Sequence, residues 1–129
     1  MIGIEIVRHM LSLSTVKPFD VLTESELLLI AKHAHHRRYE PESMIFAAGQ
    51  VADMLVVTVS GEARIDGDLS PAIFDPASAN FGLPVLQPYL AGPDGLDALC
   101  LPKPHLFTIA RECPDFIVGL ASTGPGAHG

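Results

Sequence analysis

Short apolar segments separated by turn residues fill the middle of the chain, and this pattern limits the possible folds more than any other feature. Met54–Val59 is apolar on both faces and is followed by Ser60–Gly61, which interrupts it. Glu62–Ile65 then alternates polar and apolar residues, as a half-buried strand does. Asp66-Gly67-Asp68 has the composition of a turn. We therefore predict short strands joined by turns in this region.

Three further segments extend the strand pattern. Met44–Ala47, Leu69–Phe74 and Leu96–Leu101 are short and apolar, and turn residues separate them from their neighbours. Gln87–Gly95 is rich in proline and glycine, so the sequence leaves open whether it forms a strand or a loop.

Helical signals lie at both ends of the chain. Thr23 and Glu26 have the spacing of a capping box, which predicts a helix from this point through Arg38. Met1–Leu13 carries apolar residues at near-helical spacing and is either a helix packed on its own domain or a partner-binding helix. A last helix is expected after Pro102, with Pro114 ending it and a further turn or two over 115–120.

These elements predict a single domain over residues 1–120 of the 129-residue chain. Helices occupy 1–38, a β-roll occupies 39–101 and a C-terminal helix occupies 102–120. We expect the tail, 121–129, to be flexible, and we expect no DNA-binding helix-turn-helix after residue 120. The predicted fold is mainly β with flanking helices, a small antiparallel β-barrel or roll.

Composition excludes several classes of partner. Eight Lys and Arg against 15 Asp and Glu give a net charge of −7, which repels nucleic-acid phosphates. No apolar run approaches the roughly 18 residues of a membrane span. The two cysteines, Cys100 and Cys113, do not form a disulfide framework, so we expect buried thiols in a cytoplasmic protein.

The residues also argue against catalysis. The sequence has no G-x-S-x-G elbow and no P-loop. His33 and His36 are spaced to chelate a metal on a helix, but a solvated helix face explains them as well. No histidine lies within 44–74, where a metal-dependent cupin enzyme would need one. We therefore expect no catalytic residues, no metal and no cofactor, and we keep a cupin-type enzyme only as a third hypothesis.

The order and spacing of several short motifs resemble cyclic-nucleotide-binding domains, the β-roll modules of catabolite activator proteins, cyclic-nucleotide-dependent kinases and gated channels. The similarity touches about 100 residues. The matching pieces are Pro18-Phe19, Leu22-Thr23-x-x-Glu26-Leu27, Arg37-Arg38-Tyr39-x-Pro41, Ile45-Phe46-x-x-Gly49, Ala52-Asp53-x-Leu55, Ser60-Gly61-Glu62-Ala63, Phe81-Gly82, Leu99-Cys100-Leu101-Pro102 to Phe107, and Pro114.

The resemblance implies an eight-stranded, jelly-roll-like antiparallel β-roll (a double-stranded β-helix) with a ligand site. In such domains a cassette of Phe-Gly-Glu, apolar residues and then Arg holds the cyclic phosphate. Here Phe81-Gly82 falls at the start of the cassette, but Leu83 replaces the Glu and Pro84 follows. No Lys or Arg occurs between Arg64 and Lys103, so the phosphate-binding Arg has no counterpart. A buried phosphate without a cation is costly, so we expect ordinary cAMP or cGMP binding to be lost.

Two hypotheses of function follow. The first is a non-catalytic regulatory or signalling module that acts through a protein partner or as a homodimer. The second is a sensor that binds a cyclic nucleotide or another small molecule in an altered pocket of the roll. The candidate ligand-binding residues are Phe81, Gly82, Leu83, Val85, Leu86, Val57, Val59 and Ala63.

Overall fold

The protein is described by a computed structural model that covers residues 4–16, 19–74 and 76–121. The helices are α1 (Ile4–Ser14), a 3-10 turn (Phe19–Val21), α2 (Glu24–His33), α3 (Pro76–Phe81), α4 (Lys103–Glu112) and α5 (Pro114–Ala121). The strands are β1 (His35–Tyr39), β2 (Met44–Phe46), β3 (Met54–Ile65), β4 (Asp68–Leu69), β5 (Ile73–Phe74) and β6 (Tyr89–Pro102).

The six strands form one antiparallel sheet around the long pair β3 and β6. β1 and β2 pair with β6, whereas β4 and β5 pair with β3. The pairing of β3 with β6 runs from Met54 opposite Pro102 to Ile65 opposite Tyr89, with register shifts at 58/60 and 61/63. This arrangement confirms the predicted fold class, an antiparallel roll with helices at both ends. The described residues contain six strands where the resemblance implied eight, and the predicted strand Leu69–Phe74 is divided between β4 and β5.

The two long strands differ from the sequence prediction. β3 runs without a break through Ser60–Gly61, which the sequence predicted to separate two strands. β6 begins at Tyr89 and includes part of the proline- and glycine-rich segment whose structure the sequence left open. In both cases the hydrogen-bond ladder between β3 and β6 holds the segment extended, and the register shifts absorb the local irregularity.

The second helix begins as predicted but ends sooner. The Thr23 hydroxyl accepts from the Glu26 N–H at 3.2 Å, and the Glu26 carboxylate accepts from the Thr23 N–H at 2.9 Å, which completes the capping box. Ala34 is extended and ends α2, and His35 opens β1, where the sequence predicted helix as far as Arg38. The cause is non-local, because β1 pairs along its whole length with β6.

Two other helices depart from expectation. Pro114 begins α5 instead of only ending α4, since a proline at the first helical position loses no hydrogen bond. The short α3 was not predicted. The predicted tail, 121–129, lies outside the described residues apart from Ala121.

The core lies between the roll and its flanking helices. Phe19 and Phe116 bring the N-terminal segment and α5 into contact, with ring centroids 5.0 Å apart. Inside the roll, Tyr89 packs against Phe46 and Phe74, with ring centroids 5.9 Å and 5.0 Å away. No helix within the described residues combines the length and the apolar character that a membrane crossing requires.

Candidate functional site

The two faces of the sheet have different neighbours. Residues directly opposite each other in a register share a face, and successive residues alternate. Val57 and His36 lie opposite Leu99, and the cavity under α1 is lined by His36 and Leu99, so this is the face towards α1. Val56 lies opposite Cys100 and Phe74 on the other face, which carries the buried aromatic cluster of the roll.

A polar cluster joins three strands on the α1 face. The Asp97 carboxylate accepts from Arg38 Nη1 at 2.9 Å and from the Ser60 hydroxyl at 3.0 Å, and His36 Nε2 lies 3.0 Å from its other oxygen. The Ser60 hydrogen bond is the main cause that lowers the pKa of Asp97, and Arg38 and His36 lower it further. In a catalytic triad the histidine is hydrogen-bonded to the serine hydroxyl. Here Ser60 and His36 contact separate oxygens of the Asp97 carboxylate, so the cluster ties strands together and is not a catalytic triad.

The eight predicted ligand-binding residues are placed in several environments. Val57 is buried, whereas Val59 is 39% exposed and lines the cavity under α1. Ala63 is buried opposite Ala91. Val85 is buried, and its backbone bonds Gly49 and Gln50 in the turn before β3, at 2.7 Å and 2.8 Å.

The other four candidates lie at the surface, at the end of α3 and in the residues that follow it. Phe81 is 61% exposed, Leu83 53% and Leu86 85%, and Gly82 has a positive φ of 70° with open space beside it. The cavity under α1 contains only Val59 of the eight. The assignment of these residues to a ligand pocket stays a prediction.

The segment between β5 and β6 also differs from the expected cassette order. The resemblance places Phe81-Gly82 at the start of the cassette, whereas in the structure α3 ends at Phe81 and Gly82 follows it with a positive φ. The helix instead follows the buried Phe74 of β5. Ser78 on α3 is buried, and its hydroxyl accepts from the Ala52 N–H at 2.8 Å, which fixes the helix to the segment just before β3.

Two arginines near the roll already interact with other side chains of the protein. Arg64 forms an ion pair with Glu62 on the same strand. The guanidinium of Arg37 lies over the Tyr39 ring, 4.8 Å from its centroid. Since no Lys or Arg occurs between Arg64 and Lys103, the segment that includes α3 supplies no cation to a phosphate.

Both cysteines are buried and free. Burial raises the pKa of Cys100, and burial together with the hydrogen bond to Glu26, at 3.0 Å, raises that of Cys113 to about 11. Burial also raises the pKa of Tyr39 to about 12, with the Cys100 thiol beside its hydroxyl but outside hydrogen-bond geometry. The raised pKa values favour the protonated form of all three groups near neutral pH.

His33 and His36, which the sequence spacing placed on one helix, lie on different elements. His33 ends α2, while His35 and His36 lie on β1. His33 stacks on His105 of α4, with ring centroids 3.8 Å apart, and burial, then His105 and then Lys32 lower its pKa. Within the described ranges, no group of three or more His, Cys, Asp or Glu side chains is arranged to hold a metal ion.

Sequence reasoning missed the cavity under α1. Its helical lining residues are polar and recur at i, i+3, i+4 and i+7, a spacing visible in the sequence once α1 is taken as a helix. The strand residues that complete it could not be found this way, because His36 was assigned to a helix. The lining residues are Glu5, Arg8, His9, Ser12, His36, Val59 and Leu99.

Solved structures share this fold over most of the chain. A cyclic nucleotide-binding-like protein from Brucella abortus matches with a TM-score of 0.61 and 19% identity, over 81% of this chain and 98% of that protein. The regulatory domain of protein kinase A from Toxoplasma gondii, solved with cAMP, matches with a TM-score of 0.70 and 16% identity. The chain has the fold of a cyclic-nucleotide-binding domain. This confirms the fold that the sequence resemblance implied.

A third similar structure has a different ligand. It is the regulatory subunit of a cAMP-independent protein kinase A from Trypanosoma cruzi bound to guanosine, with a TM-score of 0.72 and 18% identity. The matches to the two kinase structures each cover 84% of this chain, which spans 46% of the Toxoplasma chain and 42% of the Trypanosoma chain. No family model matches the sequence, and no curated protein matches it.

Proposed function

We propose that this chain is a non-catalytic regulatory module that works through protein contacts made by α1, and that it does not bind cAMP or cGMP in the usual way. The observation that carries the proposal is an apolar stripe on α1, formed by Ile4, Val7 and Leu11. These side chains are 74%, 43% and 64% exposed and share one helix face at i, i+3 and i+7. Contiguous apolar surface of this kind marks contact sites.

The partner that best fits the stripe is a second copy of the chain. When two such helices pack antiparallel about a two-fold axis, Ile4 meets Leu11 of the partner copy and Val7 lies near the axis. Three side chains cover less than the roughly 800 Å² per partner of a standard interface. We therefore expect a weak dimer whose population depends on concentration.

Sedimentation velocity over a range of protein concentrations tests this interface. We expect Leu11→Gln to weaken self-association and Leu69→Gln to leave it unchanged. Leu69 is a suitable control because it is similarly exposed, at 62%, but lies on β4. A wild-type chain that stays monomeric at all concentrations, or an equal effect of both substitutions, would contradict the proposed interface.

The proposed loss of cyclic-nucleotide binding is inferred from the missing positive charge around α3. A cyclic phosphate removed from water needs a charge-assisted partner, and the segment between Arg64 and Lys103 contains no Lys or Arg. Thermal unfolding with cAMP and cGMP tests this. A ligand at 100-fold its Kd adds about 2.7 kcal/mol to the free energy of unfolding. We expect no shift, and a clear shift would show that a cation from elsewhere replaces the missing Arg.

A second candidate function is the binding of an uncharged nucleoside in the roll. The missing cation favours a ligand without a phosphate, and the Trypanosoma structure of the same fold holds guanosine. Guanosine in the same thermal titration separates the two candidates. A saturable rise in melting temperature with guanosine, and none with cAMP, would favour a nucleoside sensor. No rise with any of the three would count against it.

We also assign the protein to the cytoplasm, since both cysteines are free and buried. Fractionation of cells that express the full-length protein tests this assignment.

A further inference from the structure

Helix α1 has three faces with different surroundings. At 3.6 residues per turn, residues four apart lie nearly above one another. Leu13 is buried against the core, and Ile6 and Met10 on the same side are partly buried. The apolar stripe faces solvent. The third side is the polar face, which consists of Glu5, Arg8, His9 and Ser12.

The polar face lines one side of a cavity of about 320 Å³ above the sheet, with Glu5 and Arg8 exposed at its edge. His36, Val59 and Leu99 supply the opposite wall. Leu99 is 2% exposed, so the floor is apolar while the rim is polar. A volume near 300 Å³ is at the lower end for ligand pockets, which limits the occupant to a small molecule. The cavity lies on the α1 face of the sheet and is distinct from the interior of the roll.

Arg8 and Glu5 carry the charges of the polar face. Arg8 and Glu5 form no ion pair with any described residue. Two imidazoles stand beside them with one nitrogen engaged each. His9 Nδ1 lies 3.5 Å from the Ala31 carbonyl oxygen, and His36 Nε2 lies 3.0 Å from the Asp97 carboxylate. Among the described residues, the other nitrogen of each ring has no hydrogen-bond partner.

We propose that this cavity binds a small amphoteric molecule with an apolar body, such as a free amino acid with an aliphatic side chain. The Arg8 guanidinium pairs with its carboxylate, and the Glu5 carboxylate accepts from its ammonium group. The aliphatic side chain lies on Val59 and Leu99, where burial of apolar area favours binding. A phosphate ester fits less well, since Glu5 repels its charge. A purely apolar ligand would remove Arg8 and Glu5 from water without a partner.

The test uses L-leucine as the probe and the full chain. Titration followed by amide chemical shifts locates the site, and calorimetry gives the affinity. We expect saturable shifts in α1 and around 36, 59 and 99. Because a hydrogen bond to a charged group is lost, Arg8→Gln and Glu5→Gln should each weaken leucine binding by about tenfold or more.

Two analogues of leucine test which group of the ligand each charged side chain binds. N-acetyl-leucine lacks the ammonium group, so Arg8→Gln should weaken its binding and Glu5→Gln should not. Leucinamide lacks the carboxylate, so the two substitutions should have the opposite effects. Leucyl-leucine, with its termini further apart, distinguishes a free amino acid from a peptide and should bind more weakly than leucine.

Arg111→Gln is the matched control, because Arg111 is exposed on α4 and does not line the cavity. It should leave leucine binding unchanged. Circular dichroism checks that each variant is folded. Arg8→Lys keeps the positive charge but lacks the planar guanidinium, so this variant should bind leucine with intermediate affinity. The proposal is overturned if leucine causes no saturable shifts, if the shifts lie elsewhere, or if the Arg8 and Glu5 variants bind like the Arg111 control.

Discussion

Gly61 is the position where a single methyl group should perturb the roll most clearly. It lies between the two register shifts of the β3–β6 pair, with a φ of +80°. A Cβ at this position would lie 2.5 Å from the carbonyl oxygen of Gly95 and 3.2 Å from the Cα of Leu96. Both contacts are with backbone, which has no side-chain rotation to relieve them.

Two costs add for Gly61→Ala. A positive φ costs an L-residue about 1–2 kcal/mol. Moving the β6 backbone away from the new methyl group costs about 1–3 kcal/mol more, as other insertions into packed regions do. The free energy of unfolding should therefore fall by about 2–5 kcal/mol, out of a total of about 5–15 kcal/mol for a domain.

Equilibrium unfolding in urea measures this loss, and Gly67→Ala is its matched control. Gly67 has a φ of +83° but no heavy atom within 4 Å of the added Cβ, so its substitution carries only the first cost. The Gly61 variant should be less stable than the Gly67 variant by at least about 1 kcal/mol. Equal losses in the two variants would refute the argument that close approach of β6 requires glycine at position 61.

Three further predictions follow from single contacts. Thr23→Ala removes the hydroxyl that caps α2 and should lower the free energy of unfolding by about 1 kcal/mol. Urea denaturation measures this change, and an unchanged midpoint would contradict the role of the cap. The lowered pKa of His33, stacked on His105, means that the unfolded chain binds the proton more tightly, so stability should fall as the pH drops below about 6.5. His33→Asn should flatten that dependence in thermal unfolding at a series of pH values, and a slope equal to that of the wild type would count against this cause. Finally, Cys100 and Cys113 are buried and their pKa values are raised, so both thiols should react slowly with a disulfide reagent at pH 8 in the native protein and fast in denaturant. Rapid labelling of the native protein would disprove their burial.

The sequence predicts best the features that depend on neighbouring residues. The capping box at Thr23 and Glu26 sets the start of α2 through contacts three residues apart, and the structure has it as predicted. The strands around Met44 and Met54 were also found from short apolar patterns. The order and spacing of several short motifs also pointed to the fold, through their resemblance to cyclic-nucleotide-binding domains.

The candidate site was harder to predict, because it depends on residues far apart in the chain. His36 and Asp97 are 61 positions apart, and only the pairing of β1 with β6 brings them together. The same pairing holds residues from His35 onwards in an extended conformation, although the local sequence favours a helix there. The cavity under α1 likewise joins a helix face to strand residues more than 20 positions away.

The sequence by itself therefore determined the class of fold, the helix start at Thr23 and the absence of a cation between Arg64 and Lys103, since these follow from local hydrogen bonds, apolar spacing and composition. Only the tertiary structure decided where α2 ends, that β3 and β6 are continuous, and which side chains meet under α1. The physical reason is that backbone hydrogen bonds between distant strands outweigh local preference, and this long-range pairing is not encoded in any short window of sequence.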